Sequence, residues 1–137
     1  MVQEVTPFLM FEKDAEKAIN FYVATFKDAK INHIDYWAKD EAGTESTIKR
    51  ADFSIGRQNF IALDSPAKHD FSFTPAFSVF IDCSDEAEQE HLFSALSTEG
   101  AVLMPLRDWG FSQKFAWVND RFGVSWQLNL PFSDTKT

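Results

Sequence analysis

AFSVFID at residues 76–82, followed by SDEAEQEHLFSALS at 84–97, is the stretch that decides the fold. The first run is short, apolar and rich in β-formers, which predicts a strand. The second opens on Asp85 with Glu88 three residues later, the spacing at which two acidic side chains satisfy the free amides of a helix start. Gly100 is expected to end that helix, since glycine accepts the left-handed backbone a helix terminus often needs. Beyond it lie AVLMPL (101–106), an aromatic loop RDWGFSQ (107–113), FAWVN (115–119), a DRFG turn and VSWQLNL (124–130). Three more strands follow from these runs, so this half reads β-α-β-β-β.

The same order stands upstream. VTPFLMF (5–11) is a short apolar run, and in AEKAINFYVATF the residues Ala15, Ala18, Ile19, Tyr22 and Phe26 recur at helical spacing, with Asp14 placed to cap. INHIDYW (31–37) reads as a strand and KDEAGTE (39–45) as a turn, while STIKRADFSI (46–55) and NFIALD (59–64) form a hairpin around Gly56. Helices are thus predicted over about 14–27 and 85–97, and the element order repeats at an offset of roughly 70 residues. SPAKHDFSFTP (65–75) carries two prolines and no period, and reads as the linker between a first module, 5–64, and a second, 76–130, within one domain of residues 1–137.

One helix covers only one face of a four-stranded sheet, and neither module alone buries a sufficient core. The expected fold class is therefore α+β: two βαβββ modules forming a curved, mainly antiparallel sheet around a trough lined by the uncovered faces.

Composition narrows the function. Hydrophobic residues make up 45% and charged residues 25% of the chain, which argues against disorder or coiled coil. Fifteen Phe and four Trp exceed what a small core asks for and point to an aromatic-lined cavity, an interface, or both. A formal net charge of −8 opposes nucleic acid and anionic membrane as partners, because no counterion release favours binding. No apolar run approaches the ~20 residues of a bilayer span, and the N-terminal residues have neither a basic region nor a long apolar stretch. Cys83 has no intrachain partner, which leads to the expectation of a reducing cytoplasm.

The strings TPFLMFEKDAEKAINFY, HDFSFTPAFSVFIDC, VLMPL and DRFGVSWQLNL resemble the PhnB-like branch of the vicinal oxygen chelate superfamily. This is the glyoxalase, bleomycin-resistance and extradiol-dioxygenase group, and the branch is often labelled 3-demethylubiquinone-9 3-methyltransferase. The likeness runs from about Val5 to Leu130 and implies two βαβββ modules, commonly in a homodimer. In metal-using members, the resemblance implies, four strand side chains hold a divalent ion. Here the corresponding positions are Pro7, Ala62, Ser78 and Gln127. Pro and Ala offer no side-chain donor, and one hydroxyl and one amide are too few and too neutral for Zn, Fe or Mn, so neither a metal nor another cofactor is expected. A one-residue slip brings Phe8, Ile61 and Phe77, which are no better. The methyltransferase label finds no support in the residues: the five glycines, at 43, 56, 100, 110 and 123, are scattered and form no nucleotide cradle.

Strand parity, taken with the apolar runs, is expected to send Phe8 and Met10 toward the first helix and to leave Leu9 and Phe11 on the trough face, together with Phe60, Ala62 and Asp64. In the second module Phe80 and Gln127 are expected on the trough, and Trp126 and Leu128 beneath the helix. Trp117 and Phe115 share one face that parity alone leaves open, and Trp109 and Phe111 form a loop at the lip. His69, beside Asp70 in the linker, is a candidate base or ligand as well as an ordinary loop histidine. Cys83 reads as a buried, inert thiol, and His33 and His91 as surface residues. The candidate ligand-binding set is Leu9, Phe11, Phe60, Ala62, Asp64, His69, Phe80, Trp117 and Gln127, and no catalytic residue is assigned.

The expected function is metal-free binding of a small, partly apolar molecule. A metal-dependent isomerase, dioxygenase or thiol transferase with a shifted site of His69, Asp64 and Gln127 is the competing reading, and a dimeric structural or regulatory module is the third. A homodimer is expected in any case, because fifteen Phe in a small chain leave apolar surface to be covered.

Overall fold

The computed structural model describes residues 1–132 and divides into two compact units, Met1–Asp70 and a second beginning at Phe71. The first holds β1 (Phe8–Phe11), α1 (Ala15–Thr25), β2 (Ala29–Tyr36), β3 (Ile48–Ile55) and β4 (Gln58–Asp64). Its sheet runs in the order β1-β4-β3-β2, with β1 parallel to β4 and the other pairs antiparallel. The β3–β4 hairpin turns at Gly56, whose φ of +57° is the left-handed conformation a tight reversal requires.

The core of this unit lies between α1 and one face of the sheet. Ala15, Ala18, Ile19 and Tyr22 are fully buried on the helix, and the Tyr22 ring stacks on Phe53 at 6.0 Å, which stacks on Phe60 at 5.1 Å. Register carries that face across the sheet, since Leu9 lies opposite Ala62, Ala62 opposite Ala51, and Phe11 opposite Asp64. Leu9, Phe11, Phe60, Ala62 and Asp64 therefore lie under α1, each at most 5% exposed, while Phe8 is 55% exposed on the other face. This inverts the expected parity of β1 and β4. Both faces of PFLMF are apolar, so alternation carries no polar marker to orient it; the ring stack beneath α1 does that instead.

The second unit repeats the arrangement with β5 (Val79–Asp82), α2 (Glu86–Ser97), β6 (Ala101–Arg107), β7 (Lys114–Asn119) and β8 (Ser125–Leu130), ordered β5-β8-β7-β6 with β5 parallel to β8. Both sheets are four-stranded and mixed, and the architecture is α+β. Trp126 and Leu128 are fully buried with Leu92, Leu96, Ala116 and Val118 on the α2 side. Gln89 is buried among them and donates from Nε2 to the carbonyls of Lys114 at 2.9 Å and Leu128 at 3.1 Å.

The helix starts differ. At α2 the Asp85 carboxylate accepts from the Glu88 amide at 2.8 Å, as in a capping box, and Glu88 reaches back one residue beyond the cap to accept from the Ser84 amide at 2.9 Å. At α1 Asp14 stands at the cap position with no side-chain cap bond, and the carboxylate that meets the helix start belongs to Asp64. The end of α2 also departs from expectation. The left-handed residue is Glu99, at φ 62°, and Gly100 serves a close approach: a Cβ there would lie 2.1 Å from the Asn119 carbonyl oxygen. No helix among the described residues is long and apolar enough to cross a membrane.

Candidate ligand-binding face

The sheet face of the second unit turned away from α2 gathers a cluster of aromatic side chains. Phe80 on β5 is opposite Gln127 on β8, which is opposite Trp117 on β7. One row along, Asp82 is opposite Asn129, which is opposite Phe115. Directly paired residues share a face, so these six side chains form two adjacent rows. Phe115 is buried beneath two exposed rings, Phe80 at 6.3 Å and Phe111 edge-on at 4.9 Å.

The polar groups on this face are held in place. Gln127 Nε2 donates to Ser78 Oγ at 2.6 Å, Trp117 Nε1 donates to Ser125 Oγ at 2.8 Å, and Asn129 Nδ2 donates to Asp82 Oδ1 at 2.9 Å. The loop that delivers Phe111 is pinned as well. Trp109 Nε1 donates to the carbonyls of Pro105 at 3.0 Å and Phe115 at 3.2 Å, the Arg107 guanidinium lies 3.6 Å above the Trp109 ring, and Asp108 accepts from the Gly110 amide at 2.7 Å. Gly110 has φ +101°, a conformation open to glycine at little cost. The β7–β8 turn is fixed by Asp120, which accepts from the amides of Phe122 and Val124 and from Trp126 Nε1, at 2.8, 3.1 and 2.9 Å. A face of fixed rings with a few oriented polar groups suits recognition of a flat, partly apolar molecule.

The candidates from the sequence separate by unit. Phe80, Trp117 and Gln127 lie together on this face, whereas Leu9, Phe11, Phe60 and Ala62 lie in the core of the first unit beneath α1. Asp64, expected at a strand end facing ligand or solvent, is 1% exposed: Oδ1 accepts from the Ala15 amide at 3.0 Å and Oδ2 from the Ile48 amide at 2.8 Å. Both carboxylate oxygens are thereby engaged inside the fold. His69 is half-buried, with Nε2 2.9 Å from Ser65 Oγ and its amide donating to Glu12 at 3.3 Å.

Metal chemistry does not fit the donors present. Of the four positions implied by resemblance, Pro7 and Ala62 lack side-chain donors and Ala62 faces α1, while Ser78 and Gln127, joined by a 2.6 Å bond from Nε2 to Oγ, offer one hydroxyl and one amide oxygen, both neutral. Among the described residues no three His, Cys, Asp or Glu side chains are grouped as a metal site would require. Cys83 is 3% exposed, and burial first, then the carboxylates of Glu88, Asp82 and Asp85, push its thiol up to about 12. His33 is exposed and sits 3.1 Å from Asp35.

Asp82, Asn129, Phe111 and Phe115 are the members of this face absent from the sequence-derived set. The signal for two of them is the period of two: Asp82 follows Phe80, and Asn129 follows Gln127, at the spacing that returns to the same face.

Comparison with known proteins gives concordant results. The family described as 3-demethylubiquinone-9 3-methyltransferase matches residues 3–129. A solved structure of a putative 3-demethylubiquinone-9 3-methyltransferase, PhnB protein, from Bacillus cereus is 44% identical, covering 93% of this chain and 99% of its own, with a TM-score of 0.90. Protein YjdN of Escherichia coli K12 is 22% identical, over 92% of this chain and 94% of that protein. A member of the glyoxalase/bleomycin resistance protein/dioxygenase superfamily from Sphaerobacter thermophilus shares the fold at 13% identity and a TM-score of 0.60, covering 95% of this chain and 99% of its own.

Proposed function

The chain is a PhnB-like vicinal oxygen chelate protein belonging to the family described as 3-demethylubiquinone-9 3-methyltransferase, and from that premise we propose that it binds a small, partly apolar molecule on the aromatic face of its second sheet, without a metal. The observation that carries this reading is the exposure of Phe80 and Phe111, 54% and 59%, above a buried Phe115 and beside the oriented amide of Gln127. Exposed rings on a rigid base gain by covering a ligand's apolar surface at about 25 cal/mol per Å². Gln127 Oε1 supplies an acceptor that fixes the ligand's orientation.

The test is a fragment screen read by the amide and indole NMR signals of the second unit. Aromatic fragments are expected to shift the signals of Phe80, Phe111, Phe115 and Trp117, and Phe80→Ala is expected to weaken them together. A screen in which no fragment moves these signals overturns the reading.

Exposed Phe8, Phe71 and Phe77, each at least 55% accessible, favour a second proposal, a homodimer that covers part of this surface. A reducing cytoplasm is the compartment proposed for a chain with one buried free thiol.

A further inference from the structure

Resting on that reading of the aromatic face, we infer that the molecule it takes is an organic cation, an aromatic or alkyl body carrying an ammonium-type charge. The juxtaposition that points to this is Asp82 beside Phe80, two residues apart on one face of one strand, in the row that continues through Asn129 to Phe115. Two strand residues span about 7 Å, so a cation seated over the Phe80 and Phe111 rings lies within reach of the Asp82 carboxylate.

The carboxylate is oriented for such a role. Asn129, 9% exposed, donates to Asp82 Oδ1 at 2.9 Å, which holds the carboxylate while Asp82 itself stays exposed. The rings contribute the negative face of their quadrupoles, which attracts a cation held within about 6 Å of the centroid.

Two of the three basic groups between Phe71 and Phe132 are engaged elsewhere. Between Phe71 and Phe132 there are eight acidic and three basic residues. Lys114, on the opposite parity of β7, is held between Glu86 at 2.8 Å and Glu90 at 3.0 Å on α2, and Arg107 is stacked on Trp109. An anionic ligand on this face meets Asp82 uncompensated. A neutral one gains the ring contacts alone.

Three naphthalene probes differing in charge test this at low ionic strength: (1-naphthylmethyl)trimethylammonium, 1-naphthalenemethanol and 1-naphthylacetate, titrated by NMR. The cation is expected to bind roughly tenfold tighter than the alcohol, with the acetate weakest, as a cation–π contact combined with a partly exposed ion pair allows. Asp82→Asn keeps an oxygen for the Asn129 bond, and is expected to lower the cation-to-alcohol ratio to about threefold, the part the ring faces supply, with the alcohol bound through the ring contacts alone. Alcohol binding as tight as cation binding in the parent protein, or an unchanged ratio in Asp82→Asn, overturns the cation assignment and leaves the binding face intact. If none of the probes shifts Phe80, Phe111 or Trp117, the binding face itself is wrong and the cation assignment falls with it.

Discussion

The Asp64 carboxylate, at the end of β4, caps a helix 49 residues away: its Oδ1 accepts from the Ala15 amide at the first residue of α1, at 3.0 Å. Its other oxygen accepts from Ile48 at 2.8 Å, so one buried side chain ties the start of α1 to two strands. A carboxylate at a helix N-terminus also meets the positive end of the helix dipole.

That arrangement predicts unequal costs at three acidic residues near the helix starts. Asp64→Ala leaves two amides without acceptors inside the fold and is expected to cost about 3 kcal/mol. Asp85→Ala removes one exposed cap bond and is expected to cost about 1 kcal/mol. Asp14→Ala removes no cap bond and should stay within about 0.5 kcal/mol of the parent. Urea unfolding of the three variants checks the order, and an Asp14 variant as destabilised as the Asp64 variant would contradict it.

Cys83 is predicted to resist alkylation in the native protein. Its thiol is pushed up to about 12 by burial and by neighbouring carboxylates, so the reactive thiolate is scarce at pH 8 and appears readily only on unfolding. The sign for stability follows from the raised value. Below about 9 both states keep the proton, and as pH climbs from there toward 12 the unfolded chain loses it first, so this group's contribution to stability falls over that window. Iodoacetamide labelling with and without denaturant, read by mass, checks the reactivity; rapid labelling of the folded protein at pH 8 would contradict it.

S-adenosylmethionine is predicted not to bind. In both units the turn from first strand to helix, Glu12 to Asp14 and Cys83 to Asp85, contains no glycine, so neither places backbone amides around a nucleotide-like donor. Calorimetry that detects micromolar binding would refute this.

The homodimer is checked by light scattering across a dilution series. A mass near twice 15.7 kDa is expected at high concentration, and Phe8→Asp or Phe77→Asp is expected to shift it toward the single chain. Both rings are exposed, so an acidic replacement leaves the core intact, whereas a charge at Phe60, 2% exposed, would disrupt folding before it reported on assembly. A parent protein of single-chain mass at every concentration removes the proposal.

Sequence alone determined the repeated β-α-β-β-β order, the Asp85 cap and the place of Phe80 and Gln127 on the face away from α2. Those features depend on local spacing: a period of two, a period of 3.6, and a cap three residues from its partner. Tertiary structure decided the rest. In PFLMF both faces are apolar, so only the Tyr22–Phe53–Phe60 stack chose which side of β1 and β4 meets α1, and with it sent Leu9, Phe11, Phe60, Ala62 and Asp64 into the core. The exchange of Asp14 for Asp64 at the helix start, and the meeting of Ser78 with Gln127 across 49 residues, depend on strand register between distant segments. Register is set by which buried side chains fit together, a property of the packed sheet that no local pattern in the chain records.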